Sequence, residues 1–229
     1  MFFRISDLLN FWFPASCAAC NAALYRGEMI VCTQCLYHLP KTNYHLEPGN
    51  PVEKAFWGKT RISSATALYF FNKGERVQHL VHRLKYDGEQ EAGELAGRIL
   101  GADLLQAPSF RSVRAVVPVP LHTRKLRARG FNQAECIARG IAQSLSVPLY
   151  PDFLIRRKAT ETQTRKSRYE RFENVDRIFA LNPKYHPSPE HYLLVDDVIT
   201  TGSTLTACAD ALLDIPGAQV SIAALAYAR

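Results

Sequence analysis

Residues 192–205 read Tyr192-Leu193-Leu194-Val195-Asp196-Asp197-Val198-Ile199-Thr200-Thr201-Gly202-Ser203-Thr204-Leu205. An apolar run, read as a buried strand, delivers two adjacent carboxylates, and a hydroxyl-rich turn with one glycine then opens a helix. Ligands of open α/β sheets bind at this carboxyl edge. Gly202 lets the backbone approach an anion, the free N–H groups of the helix start point at it, and Thr200, Thr201, Ser203 and Thr204 add hydroxyl donors. Together they make a cradle for a monophosphate. Asp196 and Asp197 would repel phosphate; they suit sugar hydroxyls, held directly or through a hard cation such as magnesium. A plain turn and helix cap needs one such residue rather than this run. No lysine follows the glycine and G-x-x-x-x-G-K-[ST] occurs nowhere, which disfavours a P-loop kinase or motor ATPase.

Working outward, apolar runs bounded by turn residues alternate with helical patterns, the signature of a parallel or mixed sheet covered by helices. Strands are expected at Ala65–Phe71, Val113–Val119, Leu193–Val195 and Val220–Tyr227. Helices are expected through Val77, Leu80, Val81 and Leu84, then over Glu91–Leu105, Asn132–Leu145 and Ser203–Leu213. A short apolar helix is expected at 7–13. Pro48, Gly49, Pro51 and Gly58 mark turn chemistry with weak periodicity. The expected division is therefore a cysteine module over 1–45, a linker over 46–62 and an α/β domain over 63–229.

Val116-Val117-Pro118-Val119-Pro120-Leu121-His122-Thr123-Arg124-Lys125-Leu126-Arg127-Ala128-Arg129-Gly130-Phe131-Asn132-Gln133 runs from the second strand into a basic loop and then a helix. Guanidinium forks match phosphate oxygens bidentately, so Arg124, Lys125, Arg127 and Arg129 suit a pyrophosphate; a solvated basic loop is the plainer alternative. His122 could act as acid or base, although a lone loop histidine is more often neither. A second basic cluster holds Arg156, Arg157, Lys158, Arg165, Lys166, Arg168 and Arg171.

The 192–205 string resembles the phosphoribosyl pyrophosphate motif of type I phosphoribosyltransferases. In that family the acidic pair contacts the ribose hydroxyls and the following turn holds the 5-phosphate, roles the resemblance carries to Asp196, Asp197 and Thr200 to Thr204. The likeness narrows to the ComF family, whose members carry Val-Pro-Val-Pro-Leu, a spaced arginine pair and Arg-Gly-Phe-Asn-Gln in this order; residues 118–120 and 129–133 repeat that pattern. Leu84-Lys85-Tyr86-Asp87-Gly88 resembles its Lys-Tyr-x-Gly stretch, and Arg156, Gln163, Arg168, Arg171 and Asn174 follow its spaced polar pattern. The resemblance implies a type I phosphoribosyltransferase-like fold that binds phosphoribosyl pyrophosphate with magnesium. It also implies a role in natural competence, DNA uptake and transformation, either as a phosphoribosyltransferase or as a non-catalytic protein that binds single-stranded DNA or adapts other uptake proteins.

Cys17-x-x-Cys20 and Cys32-x-x-Cys35 bring four thiolates in two knuckles, enough for a closed tetrahedral site, for which zinc is the first choice. So short a segment buries little core, and a structural metal supplies folding energy that packing cannot. A redox Cys-x-x-Cys pair and an iron-sulfur cluster are the rivals; His38 could be a spare ligand, although four cysteines already saturate a structural site. Cys136 and Cys208 fall in helical patterns and read as buried small apolar residues.

Across 229 residues, 47% are hydrophobic and 21% charged, which fits a globular protein with a real core and excludes disorder of the whole chain. Lysine and arginine number 28 against 21 acidic residues, a net charge of +7 that suits an anionic partner, nucleic acid or phosphorylated metabolite. No run reaches the roughly 18 apolar residues of a membrane helix, so no membrane insertion is expected. Met1 to Cys17 ends in Pro-Ala-Ser-Cys, faintly like a lipoprotein cleavage site, but Arg4, Asp7 and Asn10 interrupt the apolar stretch. The expected location is the cytoplasm, where thiols stay reduced.

Overall fold

The computed structural model describes residues 15–86, 88–157 and 178–228. The helix expected at 7–13, together with Lys158, Arg165, Lys166, Arg168 and Arg171, lies outside them. In chain order, helix α1 (Thr33–His38) closes the cysteine segment and the single turn α2 (Pro51–Lys54) precedes strand β1 (Ala65–Phe71). Helices α3 (Arg76–Tyr86) and α4 (Gln90–Gln106) lead to β2 (Ala115–Pro118), followed by α5 (Thr123–Arg129) and α6 (Gln133–Leu145). The short strands β3 (Leu154–Arg156) and β4 (Phe179–Leu181) come before β5 (His191–Ile199), α7 (Ser203–Leu213) and β6 (Gln219–Ala228).

Four of these strands form a parallel sheet in the order β1-β6-β5-β2. Ala65 pairs with Ile222 and Val116 with Leu193, so β6, the last strand made, fills the gap between β1 and β5. The outer edge of β1 is covered from close by in sequence: Thr42 N–H donates to Leu68 O and Phe70 N–H to Pro40 O. On the far edge, Val116 N–H donates to Pro148 O and Tyr150 N–H to Val116 O.

Alternation along β5 decides the layers. Leu193 and Val195 face a core shared with α3, α4, α6 and the cysteine segment, while Tyr192 and Leu194 face one shared with α7, Phe153 and Phe56. Both faces are covered, as a parallel sheet requires. Along α6, Ile137, Ala138 and Ile141 are buried at helical spacing, against Ala96, Leu100 and Leu104 of α4. The two helices touch backbone to backbone. A Cβ on Gly97 would lie 2.1 Å from Ile137 O, and one on Gly140 would lie 2.1 Å from Glu94 O.

The structure adds elements that periodicity does not show. The basic segment after β2 is helical, α5, capped by His122 Nδ1, which accepts from Arg124 N–H (3.1 Å), and closed by Gly130 at φ 81°. Strands β3 and β4 pair antiparallel, with Arg156 opposite Phe179. Within 46–62, Val52 and Phe56 are fully buried, and Asn50 Nδ2 donates to Tyr44 O, Glu47 O and Ala65 O. No helix among the described residues is long and apolar enough to cross a membrane.

At the amino edge of the sheet, buried His191 bridges Ser112 Oγ and Ser221 Oγ, each 2.8 Å from a ring nitrogen. Burial pushes its pKa down, so the folded protein holds it neutral. Below about pH 6.5 the unfolded chain takes up the proton first. His191 therefore contributes stability that is present above that pH and lost as the pH falls through its folded pKa. Melting temperature is expected to drop between pH 7 and 5 more steeply in the wild type than in His191→Asn; parallel profiles would show that another group titrates.

Candidate functional site

Strand β5 carries Asp196 and Asp197 at its carboxyl half, and successive residues of a strand point to opposite faces. Asp197 turns toward α3, where its Oδ2 lies 2.8 Å from Lys85 Nζ. Asp196 is half-buried, and its Oδ1 accepts from Asp197 N–H at 2.8 Å. Burial first, then the neighbouring Asp197 charge, push its carboxyl up to about 7, so it takes up a proton far more readily than an ordinary aspartate.

Beyond β5 the chain turns at Gly202, whose φ of 75° is open to glycine at little cost. Thr201 Oγ1 lies 3.0 Å from Ser203 Oγ, and Thr206 N–H donates to Gly202 O as α7 begins. Thr200, Thr201, Ser203 and Thr204 are exposed, leaving their hydroxyls open to a ligand. Under the turn lies Phe56: a Cβ on Gly202 would stand 2.9 Å from its Cε1. Lys59 Nζ reaches Thr201 O at 3.3 Å.

A cleft of about 190 Å³ opens at this edge. Of the residues given a phosphate, ribose or pyrophosphate role in the sequence, it gathers Asp196, Asp197, Thr204, Lys125 and Arg129. Lys125 and Arg129 stand four apart on one face of α5, whereas Arg124 and Arg127 are exposed on its other faces and do not line the cleft. Thr200, Thr201, Gly202 and Ser203 form the neighbouring turn rather than the cleft wall. Arg129 is held by Gln133 Oε1 (2.8 Å), with its guanidinium 5.5 Å from the Tyr86 ring centre. His122 lines the cleft while capping α5.

Two cations in the cleft were not singled out as site residues in the sequence. Lys85 comes from the end of α3 and Arg156 from the end of β3, where its guanidinium lies 5.4 Å from the Phe179 ring centre. Their only sequence signals are the Leu84-Lys85-Tyr86 stretch and the head of the second basic cluster. Four cations thus face two carboxylates across one small cleft.

The cysteines form a separate centre. The Sγ atoms of Cys17, Cys20, Cys32 and Cys35 all lie within 4.8 Å of one another. In a tetrahedral zinc site with Zn–S bonds of about 2.3 Å, neighbouring sulfurs stand about 3.8 Å apart; Cys20 and Cys32 Sγ are 3.7 Å apart. Burial raises the Cys17 thiol, but N–H groups of Cys32 and Ala19 pointing at its sulfur outweigh this and lower it to about 7. Burial and the neighbouring sulfurs push Cys35 up, so these thiols repel as thiolates unless a cation sits among them. The donor set fits structural zinc. Arg83 of α3 fastens this segment to the sheet domain through Ser16 Oγ and Asn21 Oδ1, each at 2.8 Å. Cys136 and Cys208 are buried elsewhere, as expected.

Residues 132–229 match the family model described as phosphoribosyl transferase domain. The chain is 29% identical to DNA utilization protein YhgH of Escherichia coli over 222 residues, 96% of this chain and 92% of that protein. It is 27% identical to Competence protein ComFC of Bacillus subtilis over 222 residues, 90% of this chain and 87% of that protein. Competence protein F of Haemophilus influenzae is 29% identical over 158 residues, 67% of this chain and 69% of that protein. Such relatives, together with a parallel α/β domain of phosphoribosyltransferase type and a four-cysteine cluster ahead of it, support a ComF-family protein.

Proposed function

We propose that the cleft binds phosphoribosyl pyrophosphate with magnesium, and that the protein acts in DNA uptake and use, as the names of its relatives indicate for them. The observation that carries this reading is the convergence of Asp196 and Asp197 with Lys85, Lys125, Arg129 and Arg156 beside the Gly202 turn. The turn offers N–H and hydroxyl donors to the 5-phosphate, the carboxylates suit the ribose hydroxyls, and the cations suit the diphosphate. Carboxylate oxygens are hard donors, so Asp196 and Asp197 fit magnesium, which would offset diphosphate charge when bound. Ribosyl transfer at such a site needs no covalent nucleophile; positioning and stabilisation of the departing diphosphate suffice.

A second reading, single-stranded DNA binding, draws on Arg124 and Arg127, which α5 turns away from the cleft into solvent. One titration tests both. Labelled phosphoribosyl pyrophosphate with magnesium is expected to bind the wild type and to lose at least about tenfold in affinity, about 1.4 kcal/mol, in Asp196→Asn and Asp197→Asn. Single-stranded oligonucleotide binding is expected to survive those changes and to weaken in Arg124→Ala/Arg127→Ala. A wild type that ignores phosphoribosyl pyrophosphate would overturn the first reading.

A further inference from the structure

The ion pair between Lys85 and Asp197 crosses the cleft that the proposed ligand would fill. Lys85 Nζ stands 2.8 Å from Asp197 Oδ2, with side chains 23% and 17% exposed, so the pair is partly shielded from water and stronger than a surface contact. It also does a job while the cleft is empty. Asp196 lies next to Asp197 on β5 and accepts from its N–H at 2.8 Å, so two like charges share the sheet edge. Removing the lysine from Asp197 with nothing in its place would leave two adjacent half-buried acids without the cation that touches one of them.

A diphosphate ligand reverses the local charge balance. Its oxygens carry several negative charges, and a divalent cation travels with it. The cation and Lys85 compete for Asp197, whereas the diphosphate attracts Lys85. Lysine suits an exchange between two anionic partners because its ammonium is a point charge on a flexible four-carbon stem, while a guanidinium is a planar fork made for one geometry. Its position suits it as well. Lys85 is the second-to-last residue of α3, while the other cations of the cleft come from α5 and β3 on separate segments. Arg129, by contrast, is fixed by Gln133 and Tyr86.

We propose that Lys85 is an exchange cation: it neutralises Asp197 in the free protein and passes to the diphosphate oxygens when a divalent cation takes its place on the carboxylates. This rests on the reading of the cleft given above and adds a residue and an order of events to it. Free divalent cation must displace the lysine and binds weakly alone; cation and diphosphate together release it to a new partner and bind cooperatively.

The test uses manganese as a spectroscopic probe for the divalent cation and inorganic pyrophosphate as the anion, at pH 8, on the full chain. In Lys85→Met, affinity for manganese alone is expected to rise roughly fivefold, because its competitor is gone, while affinity for pyrophosphate in the presence of magnesium falls roughly tenfold. Lys85→Arg, which keeps the charge but not the point-charge head, is expected to fall between Lys85→Met and the wild type in pyrophosphate affinity. Changes of one sign in Lys85→Met, or pyrophosphate binding left unchanged by it, would overturn the exchange while leaving the cleft reading intact. A wild type that binds neither manganese nor pyrophosphate would overturn both.

Discussion

Gly97→Ala is expected to destabilise the protein by about 3 kcal/mol and to lower its melting temperature by roughly 10 °C. The new methyl would sit 2.1 Å from the carbonyl oxygen of Ile137 and 3.0 Å from Gly140 Cα. Both belong to the backbone of α6, which cannot rotate away as a side chain does, so α4 and α6 must separate. Separation opens the contacts of Leu100, Leu104, Ile137 and Ile141, all buried between the helices and the sheet. The sign alone is decisive. In an uncrowded helix, glycine to alanine stabilises by about 1 kcal/mol. Gly140→Ala should behave like Gly97→Ala, its Cβ meeting Glu94 O at 2.1 Å and Arg98 N at 2.7 Å. Gly93→Ala should cost less, since it meets only side-chain atoms of Cys136 and Leu84 at 2.9 Å. Thermal unfolding of the three variants checks the order, and a Gly97→Ala protein that melts at or above the wild type would refute so close a crossing.

Removing the metal that the four cysteines are suited to hold is expected to unfold the segment around them while the parallel sheet persists. Structural zinc contributes on the order of 10–16 kcal/mol to modules this small, and little else in the segment could replace it. Its buried residues, Cys17, Ala18, Ala19, Val31, Cys32, Cys35 and Leu39, are small or are the ligands themselves apart from Val31 and Leu39. Chelation should therefore expose four thiols to a thiol reagent, leaving Cys136 and Cys208 shielded in the core, and should open residues 15–40 to proteolysis. Cys35→Ser should show the same cleavage without chelator. Unchanged thiol reactivity and an unchanged cleavage pattern after chelation would count against a metal-held segment.

The outcome at individual residues shows what the sequence makes legible. Strands β1 and β5 and helices α3, α4, α6 and α7 were readable because each buries a stripe at its own period, as Val77, Leu80, Val81 and Leu84 do on α3. Helix α5 was not, because Leu126, its only large apolar residue, is exposed; a helix without a buried face leaves no periodic trace, and only the His122 and Gly130 caps mark it. Strands β3 and β4 have three residues each and find one another across a long chain separation. Val52 and Phe56 were hidden by the turn residues around them. At the cleft, the acidic pair and the glycine turn were legible because one strand and the helix after it carry them both. Lys85 and Arg156 were not, because only tertiary closure brings their separate segments to Asp197 and Asp196.

The strand order carries a cost during synthesis. Once Pro40 and Thr42 have covered its outer edge, β1 still has an inner edge of open N–H and C=O groups, and its partner is β6, beginning at Gln219. A ribosome adding about 5–20 residues per second needs roughly 8–30 s to travel from one strand to the other. For that interval the nascent chain carries an unpaired, apolar edge of the kind that recruits other strands. Of the four strands β6 is made last, so β1 joins the β2–β5 pair only after Gln219 and the residues behind it have been added.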